Sequence, residues 1–505
     1  MAERLADVLA GLSRFADLGF GLQAGASLRS SILAVRLARS VGGSDDDARA
    51  AFWTALLQHV GCVGFAHETA RLFGDEVRAN LAIGRTDATS LRSVLGTFIP
   101  ALTAGTPPAK RARLTLTGLT RSTAWGDAFG TAACEVGHDA ARRLGLPDEV
   151  QRCMLHAYDL WADHASGEPA TAIPFGARAS RVCGVAVLFE PYGPGFAIAA
   201  VRERAASMLD PALAGAFVTH GSEWLAELTA RDARGAALAE EPTPVAWLPG
   251  LREAAEVFGD LADLKSPFFA GHSRRVASLA EVAAHSLRLP GDAVSDLAVA
   301  GYLHDVGRVA ISNRVWDKRG KLTSDEWEQV RLHPYHTERI LAGSAALAHL
   351  APLAGRHHER LDGSGYFRGD QAAELPPSAR ILAAAECFAT ASEPRPHRRA
   401  QTPDEAEGRL LAESRGGRLD ADAVHAVLVA AGKPGPTRRP GSLSPREIDV
   451  LRLIANGFSN AGIAGRLSIS PRTAEHHVQH VYAKIGVSSR AGATLYAVDH
   501  HLLNR

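Results

Sequence analysis

At 505 residues the chain is too long for one hydrophobic core, since domains usually run to roughly 100–200 residues, and at least three units are expected. Hydrophobic residues at 46% and charged residues at 22% exclude a disordered or collagen-like chain. No apolar run nears the roughly 18 residues of a membrane span, and the charged first turns lack the apolar block of a signal peptide. Five cysteines, at 62, 134, 153, 183 and 387, form no CxxC pair, which argues against a zinc ribbon and against a disulfide framework. The expected setting is the reduced cytoplasm, with no membrane partner. The formal net charge is zero, yet from Lys433 onward ten Lys and Arg face four Asp and Glu, a local excess of +6. A small basic end on an acidic body is what nucleic-acid binding by one end requires.

Residues 1–230 are rich in Ala and Leu and read as helical. Near their end His156 is followed seventeen residues later by IPFGARASRVCGVAVLF, then by an acidic turn and helix at MLDPALAGAFV. Residues 231–249 mix Ala, Glu and Pro without a sustained period and read as a linker.

Residues 250–432 repeat that plan. His358 is followed at the same distance by LPPSARILAAAECFATA and then by RLDADAVHAVL. A repeat of about 200 residues is a domain duplication. Eight of the 21 histidines fall between 272 and 358. They include His272 in GHSRRVASLA, His304 beside Asp305 in YLHDVGR, His333 in RLHPYH and the pair His357–His358, with Glu386 following in ILAAAECFA. Imidazole and carboxylate suit Fe, Mn and Zn, and such a set can hold two metals about 3.5–4 Å apart with an activated water between them. That arrangement serves phosphoester hydrolysis.

With these motifs in view, the unit resembles an HD-GYP domain, a variant of the HD phosphohydrolases. The likeness runs from DLKSPFFAGHSRRVA through LHDVGRVAIS, RGKLTSDEWEQVRLHP and HHERLDGSGY to LPPSARIL. It implies hydrolysis of cyclic di-GMP at a metal site ligated by His272, His304, Asp305 (bridging), His333, His357, His358 and Glu386. Two divalent transition metals are expected, Fe or Mn before Zn because no thiolate is offered. The resemblance further implies catalytic roles for Asp305 and Arg308, and ligand-phosphate contacts for Arg395 and Arg398. Three positions depart from the family pattern. Arg308 stands for a Lys, keeping the charge without a readily donated proton. Glu386 stands for an Asp, and Phe367 replaces the Pro of GYP. Phe268 stands where trinuclear members place an extra Glu.

Aligned on this unit, the first is a worn copy. Gln58–His59 replaces the HD pair, Leu155–His156 replaces the later His pair, and ASLRSSILA holds no counterpart of His272. His59, His67, His138, His156 and His164 are expected to be ordinary structural residues, and this unit to be metal-free.

Residues 433–441 carry three prolines and two glycines and read as a second linker. Residues 442–505 then offer a capping box at Ser444-Pro445-Arg446-Glu447, a helix to about Asn456, a short helix from Ser459 to Leu467 and a third from Pro471. On the third, Ala474, Val478, Val481 and Ile485 share an apolar face opposite Arg472, His476 and Gln479, which suits major-groove docking. The segment resembles the LuxR-type DNA-binding domain. The likeness implies base contacts from Thr473, Glu475, His476 and Gln479, phosphate contacts from Arg472, Lys484, Ser459 and Asn460, and homodimerisation through a last helix, Ala491 to Leu503. The whole reads as an all-α chain of two helical HD-type domains, the first degenerate, followed by a helix-turn-helix bundle. The function expected is a DNA-binding regulator that binds two metals and senses or hydrolyses a cyclic dinucleotide. The alternative is a metal-dependent cyclic di-GMP phosphodiesterase with an accessory DNA-binding domain.

Overall fold

A computed structural model describes residues 4–164, 172–229, 232–244, 250–432, 443–500 and 502–503. The expected linker 433–441 lies outside them. The chain divides into two compact units, Met1–Leu248 with Gly343–Ala346, and Pro249–Ala342 with Leu347–Arg505. Among the described residues the fold is all-α, without strands.

The first unit begins with α1 (Leu5–Phe20), α2 (Ala26–Ser40) and α3 (Asp45–Leu57). The long α4 (Pro108–Arg143) and the later α5 (Phe175–Phe189) complete its framework. Phe20, Phe73, Phe98, Trp125 and Phe129 make an aromatic cluster between these helices. The expected linker 231–249 needs correction, because Ala233–Glu240 is a helix. Asp232 caps it by accepting a hydrogen bond from the Gly235 amide at 2.8 Å, and the Ala-rich run behind that cap is intrinsically helix-forming.

The second unit opens with α6 (Leu251–Asp263), α7 (His272–Ser286) and α8 (Gly291–Leu303). After α9 (His333–Leu341) come α10 (Pro377–Ser392) and α11 (Ala421–Ala431). Small residues let these helices approach closely, and Val276, Leu297, Leu382, Leu410 and Val427 fill the core between them.

One device recurs in both units ten residues apart. Asp17 accepts hydrogen bonds from the Ser27 amide and hydroxyl at 3.0 and 2.6 Å, and Asp263 does the same for Ser273 at 2.8 and 2.9 Å. The residue before each helix is a glycine in the left-handed region, Gly25 at φ 85° and Gly271 at φ 73°. Each carboxylate thus pins a helix N-terminus. In that register His272 corresponds to Ala26.

The C-terminal bundle consists of α12 (Pro445–Ala455), α13 (Asn460–Leu467), α14 (Pro471–Ile485) and α15 (Arg490–Asp499). Ser444 and Glu447 form the expected capping box. The last helix stops at Asp499 rather than Leu503, because the His500 amide turns back to Tyr496 and Val498 carbonyls. Val450, Leu451, Ile463, Ala474, Val478 and Val481 form the bundle's core.

Candidate metal centre and nucleic-acid interface

The middle domain brings its ligand-type side chains together from five separate places. His272 is the first residue of α7. His304 and Asp305 leave α8 into a tight 3-10 turn, Val306–Ala310. That turn is crowded: a Cβ on Gly307 would lie 2.1 Å from the His333 carbonyl oxygen, so only glycine lets α9 and its His333 come this near. His357 and His358 follow the short helix Ala351–Ala354, and Glu386 lies within α10.

Second contacts orient four of the five imidazoles. Nδ1 of His304, His333 and His357 donates to the carbonyls of Gly301, Val330 and Ala354 at 2.7, 2.6 and 2.6 Å. His272 Nδ1 donates to Glu393 at 2.9 Å. With Nδ1 so used, every Nε2 lone pair is left facing inward, the arrangement metal-ligating histidines need.

The inward atoms fall into two groups, each with its ligand atoms within 4.8 Å of one another: His272, His304, Asp305 and Glu386, and His333, His357 and His358. Asp305 spans both. Its Oδ2 lies 3.2 Å from His272 Nε2 and 2.8 Å from His304 Nε2, and its Oδ1 lies 3.2 and 3.6 Å from Nε2 of His333 and His357. Asp305 Oδ1 and Glu386 Oε2 are buried and accept no hydrogen bond, while Asp305 Oδ2 meets the Arg308 guanidinium. Buried carboxylate oxygens without donors cost several kcal/mol unless cations meet them, so the donor set fits divalent ions.

Charge in this pocket is uneven. Burial opposes ionisation of Asp305, but Arg308 and His304 outweigh it and hold the carboxyl well below its usual range. Burial, reinforced by neighbouring imidazoles, drives His357 and His358 well down, which favours the neutral form that coordinates. Arg308 is itself buried, with one terminal nitrogen 2.5 Å from Asp305 Oδ2 and its guanidinium over the rings of Phe269 and Trp316, at 4.3 and 5.6 Å. Phe269, Arg308, Trp316, His333, His358 and Glu386 line a cleft of about 740 Å³, whose walls also carry Lys318, Lys321, Trp327, Arg360, Tyr366 and Arg409.

Arg395 and Arg398 also line this cleft, but their donors are engaged. Arg395 donates to the Phe268 carbonyl and to Glu393 at 2.7 and 3.1 Å. Arg398 donates to the carbonyls of Thr390, Ala391 and Glu393, closing the C-terminus of α10. Their main observed work is to shape the loop. Two further contributors were not named as site residues: Glu393, which sits just past a helix end and carried no sequence signal, and Tyr366 of the GSGY motif, stacked on His358 at 4.6 Å. Only the fold brings either to the histidines.

The first unit lacks this set. His59 stacks on Phe20 at 4.1 Å and its Nδ1 meets the Tyr158 hydroxyl at 2.8 Å. Burial lowers its pKa to about 3, so it stays neutral. Where α10 carries Glu386, the same register of α5 carries Gly184. A Cβ there would meet Gln58 Oε1 at 2.6 Å. His138 bonds the Gln151 carbonyl and His156 bonds Asp159. His67 is half-buried, and His164 ends a short helix. Among the described residues, the ligand groups of three or more both lie in the middle domain.

On the C-terminal bundle, Arg472, Thr473, Glu475, His476 and Gln479 are exposed along α14, while Ala474, Val478 and Val481 are buried behind them. Ser470 caps this helix through the Thr473 amide at 3.1 Å. The other expected contacts have structural partners. Ser459 caps α13 through the Gly462 amide at 3.2 Å, Asn460 accepts from Arg490 at 2.9 Å, and Lys484 donates to Glu447 at 2.8 Å. Lys484 and the Ser444 amide hold the Glu447 carboxyl down at about 2.

Comparison with known proteins agrees with both halves of this geometry. The family described as HD domain matches residues 256–423, and the family described as bacterial regulatory proteins, luxR family, matches residues 441–497. The chain is 28% identical over 413 residues to 3'3'-cGAMP-specific phosphodiesterase 3 of Vibrio cholerae, covering 80% of this chain and 89% of that protein. It is 38% identical over 156 residues to the cyclic di-GMP phosphodiesterase response regulator RpfG of Xanthomonas campestris, covering 30% of this chain and 41% of that one. A crystal structure of a cyclic GMP-AMP specific phosphodiesterase from V. cholerae shares the fold, with TM-score 0.56 and 24% identity over 86% of this chain and 99% of that chain.

Proposed function

We propose that this chain, which carries an HD domain with cyclic-dinucleotide phosphodiesterase homologues and a C-terminal LuxR-type helix-turn-helix domain, is a DNA-binding regulator whose HD domain takes a cyclic dinucleotide at a two-metal centre. The observation that carries the reading is Asp305, fully buried, with one oxygen toward each group of histidines. The residues that would hold two ions are His272, His304, Asp305 and Glu386 on one side, and His333, His357 and His358 with Asp305 on the other. Bound there, a pair of divalent metals supplies an activated water and neutralises charge on the phosphoryl oxygens.

The chain's own part is positioning. Carbonyl and carboxylate partners lock four of the imidazoles, and Lys318, Lys321, Arg360 and Arg409 give the cleft walls a positive potential that suits a doubly anionic ligand. Arg308 neutralises charge at the bridging carboxylate, but a guanidinium does not donate a proton to a leaving oxygen. Its place beside Asp305 favours sensing with slow turnover over rapid hydrolysis. The first unit, on this reading, is an HD-type copy that has lost its ligands. The sites proposed for base contact are Thr473, Glu475, His476 and Gln479, with Arg472 on phosphate. The setting proposed is the cytoplasm, where DNA and cyclic dinucleotides meet.

The test is metal analysis of the purified chain beside turnover assays with cyclic di-GMP and 3'3'-cGAMP, and duplex selection from random DNA. About two metals per chain, slow turnover or binding without turnover, and a selected duplex support the proposal. A chain without metal, or without preference among duplexes, overturns it.

A further inference from the structure

The outer side of α15 is the feature that the metal centre and the reading helix leave unexplained. Ala493 and Ala497 point into the bundle's own core. Ala491, Leu495 and Val498 fall at i, i+4 and i+7 on the opposite side, yet they are 5%, 4% and 6% exposed. A terminal helix of a small bundle would show that stripe to water, so something else in the second unit covers it.

At the Val498 end of the stripe the cover is the entry to α7. Asp499 Oδ1 accepts from Arg274 at 2.7 Å, and Arg274 is in turn clamped by Asp260 at 2.7 and 2.6 Å. A Cβ on Gly271 would meet Leu503 at 3.3 Å and Val498 at 4.0 Å, and one on Gly457 would meet Pro267 at 2.5 Å. The seat is therefore the segment Pro267–Arg274. It contains Phe269 of the cleft wall and His272 of the metal centre.

We propose that the outer face of α15 is a docking surface whose occupant is this segment of the chain's own HD domain. Docking leaves α14 exposed but hides an apolar face through which two copies of the bundle could pair. Undocked, that stripe would be open to water, and a second copy of α15 would bury it. The HD domain thus holds the DNA reader as a single copy, and a change at His272 or Phe269 acts on the same turn that grips Asp499. The consequence for DNA rests on the proposed reading of the bundle as a DNA binder; the docking itself does not.

The experiment uses the full-length chain with Asp499→Arg, Asp499→Asn and the conservative Asp499→Glu. Hydrogen exchange of the peptide over 490–499, sedimentation velocity and affinity for the duplex selected with the parent are measured together. Asp499→Arg is expected to speed exchange in α15 about tenfold, to shift the chain toward dimer and to tighten duplex binding about tenfold. Asp499→Asn, which adds no charge and cannot clash, moves the same way by less, and Asp499→Glu, which keeps a carboxylate for Arg274, stays near the parent. Parent-like exchange and sedimentation in both Asp499→Arg and Asp499→Asn, or an Asp499→Glu chain that behaves like Asp499→Arg, overturns the docking. If no variant nor the parent selects a duplex while exchange still responds to charge at 499, the DNA reading fails and the docking stands.

Discussion

Asp305 offers one oxygen to each histidine group, so its loss should undo both sites together. Asp305→Ala is expected to drop the metal content of the full chain from about two ions to below one. Elemental analysis beside a protein assay checks this, and unchanged content would remove the assignment. Glu393 acts one step further out by fixing His272 through its Nδ1. Glu393→Gln should weaken metal retention about 10–100-fold, read by competition with a chelator, while leaving the fold intact. Arg308 is the position where a better catalyst is one substitution away. Arg308→Lys should raise turnover of cyclic di-GMP or 3'3'-cGAMP on the order of tenfold or more, since an ammonium can pass a proton where a guanidinium does not. If parent and variant are equally inert, the centre binds its ligand without hydrolysing it.

Helix α14 carries the face proposed for base contact, and its sequence period already separated that face from the core. Gln479 is exposed, and glutamine can pair with adenine through two hydrogen bonds. Gln479→Ala should therefore cost about 1–3 kcal/mol on the selected duplex and relax base choice there. Lys484 was expected on a phosphate from its place at the helix end, but it lies against Glu447 in the capping box of α12. Its replacement should instead lower the thermal stability of the bundle by no more than about 1 kcal/mol. The phosphate test belongs to Arg472: Arg472→Ala should lower the salt slope of binding by about one ion on every duplex alike. A variant that changes affinity on one duplex only would contradict this.

The two units keep one plan for pinning a helix, Asp17 on Ser27 and Asp263 on Ser273, while only the second keeps the ligands. Removing metal should therefore stabilise nothing in the first unit and destabilise the second. In calorimetry a chelator is expected to lower one transition and leave the other in place, with a loss near 4 kcal/mol if ions are normally held at a thousand times their dissociation constant. A uniform shift of both transitions would count against a single metal-binding unit. The helical class and the HD-type and LuxR-type motifs were legible beforehand, because spacing, helical period and cap residues are local properties of a sequence. The helix at Ala233–Glu240 was missed because flanking Pro and Glu hid a short run with its own Asp cap. Tertiary structure alone decided the rest. Glu393 reaches His272 across 121 residues, Lys484 reaches Glu447 across 37, and Arg398 spends its charge on the end of α10. A local pattern says which chemical groups a segment offers. Which of them are spent on the fold depends on partners that meet only after the helices pack, and buried charge is paired wherever packing provides a partner.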